Sequence, residues 1–116
     1  MKLTEKLKEF AKQIQQNAGN PSQLAELNVK LSSHYAYHTS LYIESKLEYA
    51  DYYKGHKVKD EKGKYPSDKF LDQLWLTTEK GQNYYELKRG LRAFEKLLDS
   101  TKSAVYTANL EAKNQI

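Results

Sequence analysis

Between Tyr84 and Ala112 the residues Tyr84, Leu87, Leu91, Phe94, Leu98, Thr101, Val105, Ala108 and Ala112 follow one another in steps of three and four without a break. That is the 3.5-residue period of a helix burying a narrow stripe against other helices. No Pro interrupts the run. Its interior Gly90 falls off the stripe, where it costs about 1 kcal/mol relative to Ala. Glu86, Lys88, Arg89, Arg92, Glu95, Lys96, Asp99 and Lys102 occupy the other face, as solvated residues should. At 1.5 Å per residue such a helix is roughly 40 Å long. It needs a partner of similar length, from the same chain or from another copy.

The chain has 116 residues, 39% hydrophobic and 29% charged, which predicts one small helical domain, 1–116, lean in core. Lys is abundant, while Gly and Pro are scarce. That balance favours long helices. No apolar run is long enough to span a bilayer, and Met1-Lys2-Leu3-Thr4-Glu5-Lys6 lacks the apolar centre of a signal peptide. The absence of Cys removes disulfides and thiolate metal sites and fits a reducing cytoplasm, the expected location. A formal charge of +4 permits nucleic-acid binding without demanding it.

Leu3, Leu7, Phe10 and Ile14 give a first amphipathic helix, ended by Ala18-Gly19-Asn20-Pro21. Asn20 is an N-cap for a second helix, Pro21 suits its first position, and Gln23 completes a capping box. This helix should run to about Lys54, with Gly55 as its C-cap. Its seam is Leu24, Asn28, Leu31, Tyr35, His38, Tyr42, Ser45, Tyr49 and Tyr52, and a second stripe of Leu27, His34, Leu41 and Glu48 runs beside it. From Lys54 to Pro66 the periodicity disappears, which predicts a Lys-rich, flexible loop. Ser67 then caps a short third helix holding Phe70, Leu71, Leu74 and Trp75, and Thr77 or Thr78 caps the last helix. Gly81 is a candidate kink. The architecture is all-α: two long antiparallel helices in a coiled-coil-like hairpin, with the N-terminal helix packed on them. The polar seam residues His38, Ser45 and Thr101 are positions that specify register or subunit number, and the thin core predicts a homo-oligomer. Tyr84, Leu87, Leu91, Phe94, Leu98 and Val105 form the oligomer or helix-packing seam.

His34 and His38 stand four apart, but Tyr35, Ala36 and Tyr37 between them exclude an HExxH pattern. Packed histidines are the simpler reading, so no metal and no cofactor are expected. No nucleophile triad, phosphate loop or dinucleotide fingerprint appears, which predicts a protein that is not an enzyme. Lys46, Tyr49, Tyr52, Tyr53, Lys54, His56, Lys57, Lys59, Lys62, Lys64 and Tyr65 concentrate cations and rings at one end of the hairpin. Cations track the phosphates of single strands and exposed rings stack on bases. Against this, Tyr on a seam is usually core and a Lys-rich loop usually serves solubility. Lys88, Arg89, Arg92 and Lys96 make a second patch, diluted by Glu86, Glu95 and Asp99.

Several of these residues resemble the UvsY-type recombination mediators of tailed phages. The amphipathic opening Met1-Lys2-Leu3 with Glu5 and Leu7 is similar. So is the close of the second helix, Lys46-Leu47-Glu48-Tyr49-Ala50-Asp51-Tyr52-Tyr53-Lys54-Gly55, in which Asp51 to Gly55 is the most specific piece. A loop of similar length follows, and Leu97-Leu98-Asp99, Ser100 and Ala104 match in the last helix. The resemblance implies a phage protein that binds single-stranded DNA and assembles as a ring. Such a protein loads a recombinase onto DNA coated with single-strand binding protein. The family carries basic residues just before Asp-Tyr-Tyr, where this chain has Leu47 and Tyr49 with only Lys46 nearby. The charge has moved to Lys54, Lys57, Lys59, Lys62 and Lys64, which would then carry DNA binding with Tyr49, Tyr52 and Tyr53. The alternative is a helical protein-binding module, an inhibitor or adaptor that binds no DNA. A third reading is a plain coiled-coil assembly element.

Overall fold

The computed structural model describes residues 3–114, so Met1 and Lys2 of the opening motif lie outside the described residues. Among the described residues the regular structure is all α-helical: α1 (Leu3–Gln16), α2 (Pro21–His56), α3 (Asp68–Leu76) and α4 (Glu79–Asn114). None of these helices is long and apolar enough to cross a membrane.

The helix ends follow local chemistry. Gly19 takes φ +88 between α1 and α2, and the Gln23 amide donates to Asn20 Oδ1 at 3.2 Å, so the predicted cap forms. Gly55 is not a C-cap. The helix passes through it to His56, and its φ is not positive. Instead the His56 ring donates through Nδ1 to the Tyr52 carbonyl at 2.8 Å, meeting one of the carbonyls a helix end leaves over. Ser67 caps α3 by accepting the Phe70 amide, and Thr78 caps α4 by accepting the Gly81 amide at 2.9 Å. The break at Thr77–Thr78 separates α3 from α4. Gly81 is not a kink either. It is buried, and a Cβ there would run into the carbonyl of Trp75.

The chain packs as two compact units, one of residues up to His38 with those from Gly90 onward, the other Thr39–Arg89. The two long helices each contribute to both. In the first unit, Phe10 of α1, Leu27 and Leu31 of α2 and Phe94 of α4 form the core, with Leu3, Leu7, Ile14, Leu97 and Leu98 packed around them. Each such side chain contributes about 1.5–3 kcal/mol when fully buried. Gly90 belongs to this packing: it is buried, and a Cβ there would strike the Leu3 side chain. Its absent side chain admits α1, which the reading of Gly90 as an off-stripe residue overlooked. Thr101 is fully buried and donates to the Leu97 carbonyl at 2.7 Å. His38 is buried with both ring nitrogens unpartnered and stacks on Phe94, with centroids 5.3 Å apart.

In the second unit Leu71, Trp75 and Leu87 are buried, and Tyr42, Tyr49, Tyr52 and Tyr84 are half-buried. Of the α4 seam, Leu87, Leu91 and Phe94 are buried, while Tyr84, Leu98 and Val105 are half-buried. Phe94 meets α1 and α2, and Tyr84 meets Tyr42 and Tyr49, so within each unit this seam is closed by the chain's own helices. Its last position, Ala112, is exposed.

Candidate nucleic-acid interface

The second unit gathers most of the aromatic and basic residues singled out above. Tyr49 and Tyr52 of α2 face Trp75 of α3, with ring centroids 5.5 and 5.0 Å away. Tyr84 of α4 stacks on Tyr49 at 5.9 Å and lies 5.3 Å from Tyr42. The Tyr42 and Tyr84 hydroxyls are 3.4 Å apart. That hydrogen bond, and then burial, push the Tyr84 hydroxyl up to about 12.

Two carboxylates close the outer edge of this cluster. The Tyr49 hydroxyl donates to Asp72, and the Tyr53 hydroxyl donates to Asp68 at 2.8 Å. The two Tyr are four apart on α2 and the two Asp four apart on α3, so each helical turn supplies one rung. The bond to Asp72, followed by burial, raises the Tyr49 pKa, and the bond to Asp68 raises that of Tyr53. Lys57 Nζ donates to Asp68 at 2.8 Å and to the Pro66 carbonyl at 2.7 Å. Lys57 first, then Tyr53, hold the Asp68 carboxyl below its ordinary value. Lys57 is a latch between the end of α2 and the start of α3.

The Lys-rich segment is a built turn. Asp60 Oδ1 accepts the amides of Lys62 and Lys64 at 2.8 and 2.9 Å. The Asp60 amide donates to the Lys64 carbonyl, and Gly63 donates to the Asp60 carbonyl. Gly63 takes φ +77, a left-handed conformation that suits glycine. The turn leaves Lys59, Lys62 and Lys64 exposed, and Lys59 Nζ lies 5.6 Å from the Tyr65 ring centroid.

The residues expected to bind a strand therefore divide. Lys54, Lys59, Lys62 and Lys64 are exposed at the α2 end and the turn. Lys46 is exposed but sits earlier on α2, over the Tyr42 ring at 4.9 Å. Lys57 is held by Asp68, while Tyr49, Tyr52 and Tyr53 are half-buried in contacts within the chain. The well-exposed rings here are Tyr65, 56% exposed, and Phe70, 54% exposed. Phe70, placed by its apolar character inside α3, is turned out because Leu71 and Trp75, four apart, define the buried face, and Phe70 is about 100° round from Leu71. Asp68 and Asp72 escaped notice too, although their spacing of four matches that of Tyr49 and Tyr53.

Around Tyr85 the second basic patch is partly organised. Its ring borders a cleft of about 170 Å³ with Tyr49, Asp72, Trp75, Tyr84 and Lys88, and another of about 360 Å³ with Leu76, Gln82, Glu86 and Arg89. Lys88 and Arg89 lie over that ring at 6.0 and 5.5 Å. Among the described residues no three His, Asp or Glu side chains form a group able to hold a metal ion. Comparison of the chain with protein-family models, curated proteins and solved structures finds no match.

Proposed function

We propose that this protein binds single-stranded DNA as a non-enzymatic accessory of phage recombination, of the UvsY-type mediator kind, and helps load a recombinase onto DNA coated with single-strand binding protein. The observation that supports this most is the Asp60 turn, which leaves Lys59, Lys62 and Lys64 in solvent with Lys59 Nζ 5.6 Å from the exposed Tyr65 ring, while Phe70 of α3 is a second exposed ring of the same unit. The cations neutralise phosphates while the two rings stack on bases. The test is oligonucleotide binding measured across a salt series. Phosphate neutralisation requires log K to fall linearly with log salt. No binding at low salt refutes the reading.

A second reading, the protein-binding module, draws on the exposed apolar side chains of the second unit, Val58, Tyr65 and Phe70. Aromatic anchors of this kind concentrate binding energy at protein interfaces. A protein partner retained on the chain after nuclease treatment, together with absence of DNA binding, selects it.

A further inference from the structure

From Ile43 to Ala50 the face of α2 turned away from its neighbours is uncharged where a solvated helix should be charged. The next position of that stripe, exposed Lys54, ends it with a single cation of the kind a pairing seam tolerates at a cost in stability. In the second unit this face exposes Ile43 (54%), Leu47 (64%) and Ala50. These positions lie within about 60° of one another on a helical wheel, opposite the buried Ser45 and half-buried Tyr49 and Tyr52. The steps of four and three are again the period of a helix-pairing seam. In the first unit α2 turns out Val29 and Ala36, two heptads and one heptad before Ile43. The exposed side of α4, by contrast, carries Arg92, Glu95, Lys96 and Asp99.

We infer that α2 pairs in parallel with α2 of a second copy of this chain through Ile43, Leu47 and Ala50. The flanks of the stripe choose both occupant and direction. Glu44 and Asp51 border one side and Lys46 the other. In a parallel pair Lys46 of one copy falls beside Asp51 of the second, five residues on, where flanking positions of two parallel helices meet. An antiparallel pair sets each flank against itself, Lys46 against Lys46 and the acids against the acids, which is repulsive. A lipid surface is a poor occupant, since helices lying on anionic membranes are flanked by Lys and Arg rather than by Glu44, Glu48 and Asp51. This pairing is independent of the nucleic-acid reading. It also moves self-association from the α4 seam to a face that the heptad pattern of α4 did not point to.

Sedimentation or light scattering of the full chain at tens of micromolar tests the inference. The expected mass is twice that of the 13.5 kDa chain. Leu47→Glu should return it to a single chain with unchanged far-UV helicity, because the side chain replaced is exposed. Direction is read by cysteine pairing in a chain that has no Cys of its own. Ile43→Cys alone and Ala50→Cys alone should each cross-link efficiently on mild oxidation. A monomer, an assembly that survives Leu47→Glu, or cross-linking only when Ile43→Cys and Ala50→Cys chains are mixed overturns it.

Discussion

Gly81 packs against the main-chain carbonyl of Trp75, where the Thr77–Thr78 break joins α3 to α4 and a Cβ has no room. Gly90 packs instead against the end of the Leu3 side chain. A main-chain carbonyl cannot step aside, whereas a leucine in the first turn of a helix can change rotamer. Gly81→Ala should therefore destabilise by about 1–3 kcal/mol. In Gly90→Ala the gain in helix propensity, about 1 kcal/mol, offsets the shift of Leu3 and leaves stability nearly unchanged. Urea unfolding of the two variants measures the contrast, and equal midpoints would refute it.

Acid should loosen the first unit through His38. Burial, then the nearby charges of Lys6 and His34, hold its pKa below 6.5. The unfolded chain thus takes up the proton first as pH falls. The stability this residue contributes is complete above pH 6.5 and is lost as pH drops towards the folded pKa. The unfolding temperature should fall between pH 7.5 and 5.5. His38→Phe keeps a ring against Phe94 without a titrating group and should flatten that slope. An identical slope in the variant would clear His38 of the role.

The tyrosines supply the mirror case in alkali. Tyr49 and Tyr53 are raised by the carboxylates they donate to, and Tyr84 to about 12. Their contribution is complete below the unfolded value of 10.0 and is lost as pH climbs through the folded values. Absorbance at about 295 nm should show these tyrosinates forming late, as the chain unfolds. Tyr84→Phe should remove one from the late group. A single transition near the ordinary phenol value would contradict the hydroxyl–carboxylate rungs.

Within the Lys-rich segment the structure separates cations by their partners. Removing Lys59, Lys62 and Lys64 together should flatten the dependence of log K on log salt by about 2, at roughly 0.7 per single-strand phosphate. Lys57→Ala should leave that slope alone and lower the unfolding temperature, because its ammonium serves Asp68 and Pro66. Tyr65→Ala and Phe70→Ala should each weaken binding by about 1–3 kcal/mol. If Lys57→Ala changes the slope as much as Lys62→Ala, the division is wrong.

The helices were largely legible because they rest on local rules. Period fixes the faces, Asn20, Ser67 and Thr78 fix the starts, and the α4 stripe from Leu87 to Thr101 is where burial concentrates. The ends were harder, since a glycine such as Gly55 signals a stop only if nothing better closes the helix, and His56 does. The roles of Gly81 and Gly90 depend on what approaches them from distant parts of the chain, which spacing alone does not reveal. The candidate site was legible as a composition and not as a surface. Whether Tyr49 meets solvent depends on Asp72 and Trp75, more than twenty residues away. The outward stripe on α2 was visible as sequence, but it acquires meaning only once the opposite face is known to be filled.

The main-chain bonds of the Asp60 turn fix where the Lys62 and Lys64 side chains leave the backbone, while their ammonium groups stay on flexible stems. A strand bound there as proposed would meet cations of set origin and adjustable reach. A methylphosphonate scanned along such a strand should then weaken binding modestly at several neighbouring positions rather than sharply at one.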